Sequence, residues 1–197
     1  MSVAYRAVQW NRHKILYDII LVAGVLLYVT TFLLVSRLTL RDRAAPAMEV
    51  LLMRALGTCA FVMLQIILSI GPLARLSPRF NPILYNRRHF GVTLFCVALA
   101  HGLIALGYYH GFGNVNPFLS LLTNGGSYAS FAQFPFQILG AVALMILFLM
   151  AATSHDFWLK NLTPPVWKSL HMLVYVAYGL LVLHMVLGAL QSERSPI

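Results

Sequence analysis

Apolar residues run along this chain in five long blocks, at about 15–36, 49–71, 89–109, 135–153 and 167–190, with turn-forming and charged stretches between them. Each block approaches the ~20 residues that a helix needs to cross a hydrocarbon core ~30 Å thick. Punctuation supports the boundaries. Gly71-Pro72 closes the second block, Phe134-Pro135 opens the fourth, and Thr163-Pro164-Pro165 supplies a cap and first turn for the fifth. No internal repeat or low-complexity segment stands out. The pattern predicts an all-α polytopic membrane bundle of five transmembrane helices, forming one domain over residues 1–197.

Composition narrows the class. The 197 residues are 60% hydrophobic and 10% charged, far from the balance of a soluble domain. Fourteen Lys and Arg face five acids, and the positive-inside rule accounts for that excess better than nucleic-acid binding does. The amino-terminal segment and the 72–88 and 154–168 loops lie on one side of a five-span topology and carry most of the basic residues. Arg37, Arg41, Arg43, Arg54 and Arg194 fall on the other. This predicts a multi-pass membrane protein with a cytoplasmic amino terminus. The first block follows Arg6, Arg12 and Lys14 and is too long for a signal-peptide core, so it reads as a retained helix. Cys59 and Cys96 sit inside apolar blocks at a spacing that supports neither a disulfide nor a metal site.

Histidines inside such blocks are functional candidates by default. His171 and His184 lie 13 residues apart, roughly 20 Å along a helix axis. His89 and His101 are separated similarly in the third block, which runs in the same direction. The four therefore define two depths. Imidazoles facing each other from different helices suit bis-histidine haem ligation, which also requires small neighbours and cations for the propionates. Ala98, Gly102, Ala105 and Gly188 are the small neighbours; Arg87, Arg88 and Lys168 are cations at the cytoplasmic edge, where no acid is expected to compete. At ~100° per residue, steps of 12 or 13 put the two histidines of one straight helix on different faces. The deep pair, His101 with His184, avoids that difficulty and is the favoured site. A second site at His89 and His171 requires tilt or local distortion.

The run Asn86-Arg87-Arg88-His89-Phe90-Gly91-Val92 with Ala98-Leu99-Ala100-His101 resembles the third-helix motif of the ferric reductase-like transmembrane domain family. Trp167 to Tyr175, followed by His184, resembles its fifth helix. The family includes the MsrQ/YedZ-type haem b membrane subunits and, more distantly, the STEAP and NADPH oxidase membrane domains. The resemblance spans roughly residues 50–190. It implies a place in the bacterial inner membrane and haem b between the third and fifth helices, with His101 and His184 as ligands and His171 serving a second haem. Pairing His89 with His171 rests on depth alone. The family pattern of six helices leaves a sixth helix, or a further redox domain, to be accounted for, and the uncharged loop before the fourth block is unusually long.

His13, His110 and His155 fall at predicted ends or loops and receive no chemistry. Tyr108, Tyr109, Phe112, Tyr128, Phe131, Phe134 and Phe136 read as an interfacial belt. The loop with Pro117 and Gly125-Gly126 reads equally as a lid or a surface hairpin. The five acids make no buried pair for acid–base work, and no Gly-rich dinucleotide fingerprint is present. Electrons must then come from quinol, a redox protein partner or an additional redox domain; a quinone or flavin site has no support in the sequence. The expected function is electron transfer through haem b between a membrane or cytoplasmic donor and a periplasmic partner. The alternative is a haem-free transporter or scaffold using the histidines for proton relay or packing.

Overall fold

The computed structural model describes residues 12–40, 46–80, 86–123 and 134–193. Arg6, Arg41, Arg43, Gly125-Gly126, Tyr128, Phe131 and Arg194 lie outside the described residues. Eight α-helices appear in chain order among them: α1 Arg12–Thr39, α2 Met48–Leu76, α3 Arg87–His110, α4 Pro117–Thr123, α5 Phe136–Ala152, α6 Asp156–Asn161, α7 Pro164–Met172 and α8 Val174–Glu193. A 3-10 turn at Pro78–Phe80 follows α2, and no strand occurs among the described residues. The protein is an all-α polytopic membrane bundle. Four segments are long and apolar enough to cross a bilayer: α1, α2, α3 and the joined α7–α8. At 17 residues, α5 sits at the short end of the spanning range.

Helix ends follow local chemistry. α2 continues through Gly71-Pro72, which pattern alone marks as a stop, and ends at Ser77 in an extended conformation. Proline normally forces the residue before it out of the helix by crowding its Cβ. Residue 71 has none, so only one backbone hydrogen bond is lost. The fifth apolar block is interrupted at Leu173, whose amide donates to the Leu170 carbonyl at 3.2 Å. That tightened turn lies between His171 and His184, so the two rings do not share one uninterrupted helix.

Two antiparallel pairs, α2 with α3 and α5 with α8, are the most closely packed. Cys59, Ala60, Met63 and Leu64 of α2 meet Phe90, Leu94 and Val97 of α3 in the main core, with Tyr17, Leu21 and Val25 of α1 and Tyr178 and Leu181 of α8 against it. Small residues let the backbones approach: Ala55, Ala143 and Ala177 are fully buried. The long apolar side chains left exposed on α1, such as Leu26, Leu27 and Leu34, suit lipid contact, since helix surfaces in a bilayer need no polar cover.

Polar ties define the two ends of the bundle. At the Arg87 end, Arg88 donates to Asp156 at 3.0 Å, joining α3 to α6. The His89 Nδ1–H donates to the Asp18 carboxylate of α1 at 2.9 Å, and the Trp167 indole donates to the Thr153 carbonyl at 3.2 Å. Acids therefore do compete at this edge, contrary to the expectation from sequence. They lie far off in the chain and come close only because α1 and α6 pack beside α3. At the opposite end, the chain after α3 is not simply a loop: α4 forms there, with the Asn116 side chain accepting from the Phe118 amide at 2.9 Å.

Gly102 faces Leu144 of α5, and a Cβ there would lie 3.1 Å from that side chain. Gly102→Val should overpack the α3–α5 contact and cost about 1–3 kcal/mol. Thermal unfolding in detergent should show a lower midpoint, and wild-type stability would contradict the close approach.

Candidate functional site

His101 on α3 and His184 on α8 form the one histidine–histidine ring pair among the described residues, with centroids 6.4 Å apart and planes at 86°. Each ring is anchored through the same atom. The His101 Nδ1–H donates to the Met53 carbonyl at 2.9 Å; the His184 Nδ1–H donates to the Phe136 carbonyl at 2.8 Å. A carbonyl can only accept, so Nδ1 must carry the proton, and in the neutral ring Nε2 holds the lone pair. Both rings are thus set in the tautomer that offers Nε2 to a metal.

The two anchors are copies of one device. In each, the imidazole lies 48 positions after its carbonyl partner, and a glycine stands one helical turn beyond that carbonyl. A Cβ on Gly57 would sit 3.0 Å from the His101 ring, and one on Gly140 would sit 2.8 Å from the His184 ring. The α2–α3 and α5–α8 pairs therefore repeat a carbonyl, a glycine and a histidine, an internal repeat that the sequence does not make apparent. It is legible only once both partners of each histidine are known. Gly102 and Gly188, expected to make room for a macrocycle, instead face Leu144 and the Phe136 ring.

An imidazole that binds a first-row metal at ~2 Å has its ring centre about 3 Å from the ion. Two rings sharing one ion then stand about 6 Å apart, as these do. No group of three or more His, Cys, Asp or Glu side chains gathers among the described residues. A ligand that brings its own equatorial donors and asks for two axial imidazoles fits this donor set.

The other predicted residues have different company. His171 stacks on Trp167, centroids 3.8 Å apart, donates from Nδ1 to the Trp167 carbonyl at 3.0 Å, and has Nε2 3.4 Å from the Ser154 hydroxyl. Its partners are local to the Arg87 end, and Arg87 and Arg88 bear on it electrostatically. His89 engages Asp18. Lys168 is exposed on α7. Arg87 and Arg88 precede His101 by 14 and 13 residues, roughly 20 Å along the axis, and so belong to the other level. Arg54 is the cation at the depth of the ring pair. It follows Met53 directly and is exposed.

His110, given no chemistry from its place at a predicted end, is held through both ring nitrogens. It is the buried polar side chain of the described residues, 8% exposed, because α4 folds over it and supplies Ser120. Its Nδ1 lies 2.9 Å from the Ser120 hydroxyl and its Nε2 2.8 Å from Gln137 Oε1. His13 and His155 are exposed; the latter caps α6, accepting from the Phe157 amide at 3.2 Å.

Comparison with known proteins decides the family. The model of the ferric reductase-like transmembrane component matches residues 55–182, well over half of the chain. The chain belongs to the ferric reductase-like transmembrane component family. The magnetosome protein MamZ of Magnetospirillum gryphiswaldense is 32% identical over 144 residues, covering 73% of this chain and 20% of MamZ. The protein-methionine-sulfoxide reductase heme-binding subunit MsrQ of Herminiimonas arsenicoxydans is 31% identical over 162 residues, covering 81% of this chain and 69% of that subunit. MsrQ of Ralstonia nicotianae is 31% identical over 131 residues, 66% of this chain and 55% of the relative. The chain thus spans about a fifth of the MamZ proteins and more than half of the MsrQ subunits. No solved structure matches. The matched segment contains Gly57, His101, Gly140 and His171 and ends two residues before His184.

The anchoring device predicts that nitrogen-15 spectra of histidine-labelled protein show Nδ1–H tautomers at both His101 and His184. Gly140→Ala should displace the His184 signal and leave that of His101 in place. Equal disturbance of both, or of neither, would contradict two separate anchors.

Proposed function

We propose that this membrane protein holds haem b between its third and fifth spans, with His101 and His184 as axial ligands, and passes electrons between a donor and a periplasmic redox partner. The observation that carries the reading is the pair of Nδ1-anchored imidazoles at a separation suited to one shared ion. The names of the MsrQ relatives, heme-binding subunits of a methionine-sulfoxide reductase, support the same group. Held by both His101 and His184, such a group would supply a one-electron couple suited to electron transfer rather than oxygen binding.

The protein's own residues do the rest. Met53 and Phe136 carbonyls fix the tautomer and add basicity to each imidazole through its far nitrogen. Gly57 and Gly140 let the rings lie against α2 and α5. Arg54 is the propionate partner at this depth, with Arg87, Arg88 and Lys168 left to the other end. There, the basic excess favours a cytoplasmic side, and those cations suit docking of an electron-donating redox protein or domain. His110 then lies toward the periplasm. The partners of His89 and His171 support a structural tie rather than a shared second haem.

Purified protein should show a dithionite-reduced b-type spectrum, and His101→Ala or His184→Ala should remove most of it while the protein still inserts. Colourless wild-type protein that remains folded would favour the haem-free transporter or scaffold. Haem-to-protein stoichiometry should be near one; a ratio near two would restore a His89–His171 site. Arg54→Gln should weaken haem retention about tenfold, the scale of one charge-assisted contact of ~1.5 kcal/mol. Arg87→Gln should leave retention unchanged, and the reverse ranking would reassign the propionates.

A further inference from the structure

We propose that His110 is a positioning residue for the His184 ligand, acting through Gln137 on the peptide that anchors the His184 ring. This rests on the haem reading above. The peptide unit joining Phe136 to Gln137 presents its oxygen to His184 Nδ1 at 2.8 Å. The nitrogen of that same unit belongs to Gln137, whose side chain is held by His110 at 2.8 Å. A planar peptide moves as one body, so whatever fixes Gln137 helps fix the carbonyl that orients the ligand.

That carbonyl needs outside support. Phe136 is the first residue of α5, where a helix frays most readily; its carbonyl accepts within the helix, but no helical turn precedes it to hold the peptide in place. Met53, which plays the same part for His101, lies more than one turn inside α2 and is buried. The two anchors are alike in their atoms and unlike in their support, and His110 stands on the weaker side. A second tie comes from α8, where Gln191 donates to the Phe134 carbonyl at 2.8 Å. The start of α5 is therefore held by His184, Gln191 and His110 together.

His110 is built for this placement. Both ring nitrogens are engaged and the residue is buried, so its ring has a fixed orientation. With Nε2–H donating to the Gln137 side-chain Oε1, Nδ1 accepts from the Ser120 hydroxyl. Ser120 lies on α4, which packs against both α3 and α5, so the network joins the ends of all three helices. Losing the ring would leave the Gln137 amide and Ser120 hydroxyl short of a partner in a poorly hydrated place, a cost that reorientation of the first turn would relieve.

The test uses the full-length membrane protein carrying haem. His110→Phe keeps a ring of similar bulk and deletes both hydrogen bonds; His110→Gln can still donate to Gln137 and accept from Ser120. Haem content, midpoint potential and the low-spin electron paramagnetic resonance spectrum are measured for each. His110→Phe is expected to retain haem, to shift the reduced-to-oxidised ratio severalfold at a fixed potential, and to change the spectral anisotropy. His110→Gln is expected to restore both readouts toward wild type. Wild-type potential and spectrum in haem-replete His110→Phe would overturn the proposal, as would failure of His110→Gln to restore them. Should His110→Phe not accumulate, Gln137→Met decides the matter by the same readouts. Absence of haem from the wild-type protein would instead overturn the haem reading itself.

Discussion

Two hydrogen bonds from imidazole to backbone carbonyl govern the chemistry available to this bundle. A histidine in a bilayer can present either nitrogen, and nothing in a lipid-exposed helix selects between them. Here the Met53 and Phe136 carbonyls select for both rings. Because each carbonyl comes from the helix antiparallel to the one bearing the histidine, the selection depends on close packing within α2–α3 and α5–α8. Gly57 and Gly140 permit that packing where the rings cross the neighbouring helix. Backbone approach, ring orientation and the choice of tautomer are consequences of one arrangement used twice.

The ends of the bundle serve separate purposes. Around Arg87, ties between distant residues, Arg88 with Asp156 and His89 with Asp18, hold α1, α3 and α6 together. The basic residues there face the aqueous boundary. Around His110 polar side chains are turned inward, joining α3, α4 and α5.

The five apolar blocks were legible in the sequence to within a few residues, because span length and hydrophobicity are local properties. Gly71-Pro72 misled as a boundary because proline's effect depends on the residue before it, and glycine there removes the clash. The pairing of His101 with His184 was legible from depth and helix direction, and the structure places their rings together. The glycines were misassigned: Gly102 and Gly188 lie beside the histidines in sequence, whereas Gly57 and Gly140 lie beside them in space. Which neighbour meets a ring is set by the register between helices, and no periodicity within one helix reports it. Arg54 and His110 escaped for the same reason. Arg54 stands out only once its neighbour Met53 is seen to meet His101, and His110 only once Ser120 and Gln137 are seen to meet it.

Electron paramagnetic resonance of the oxidised protein tests the central claim most directly, since it reports axial ligands and the angle between their planes together. Imidazole planes held near 86° predict a single low-spin ferric signal of the strongly anisotropic kind given by perpendicular bis-imidazole ligation, lost on substitution of His101 or His184. A high-spin signal, a rhombic low-spin signal typical of parallel imidazoles, or a low-spin signal that survives both substitutions would contradict it.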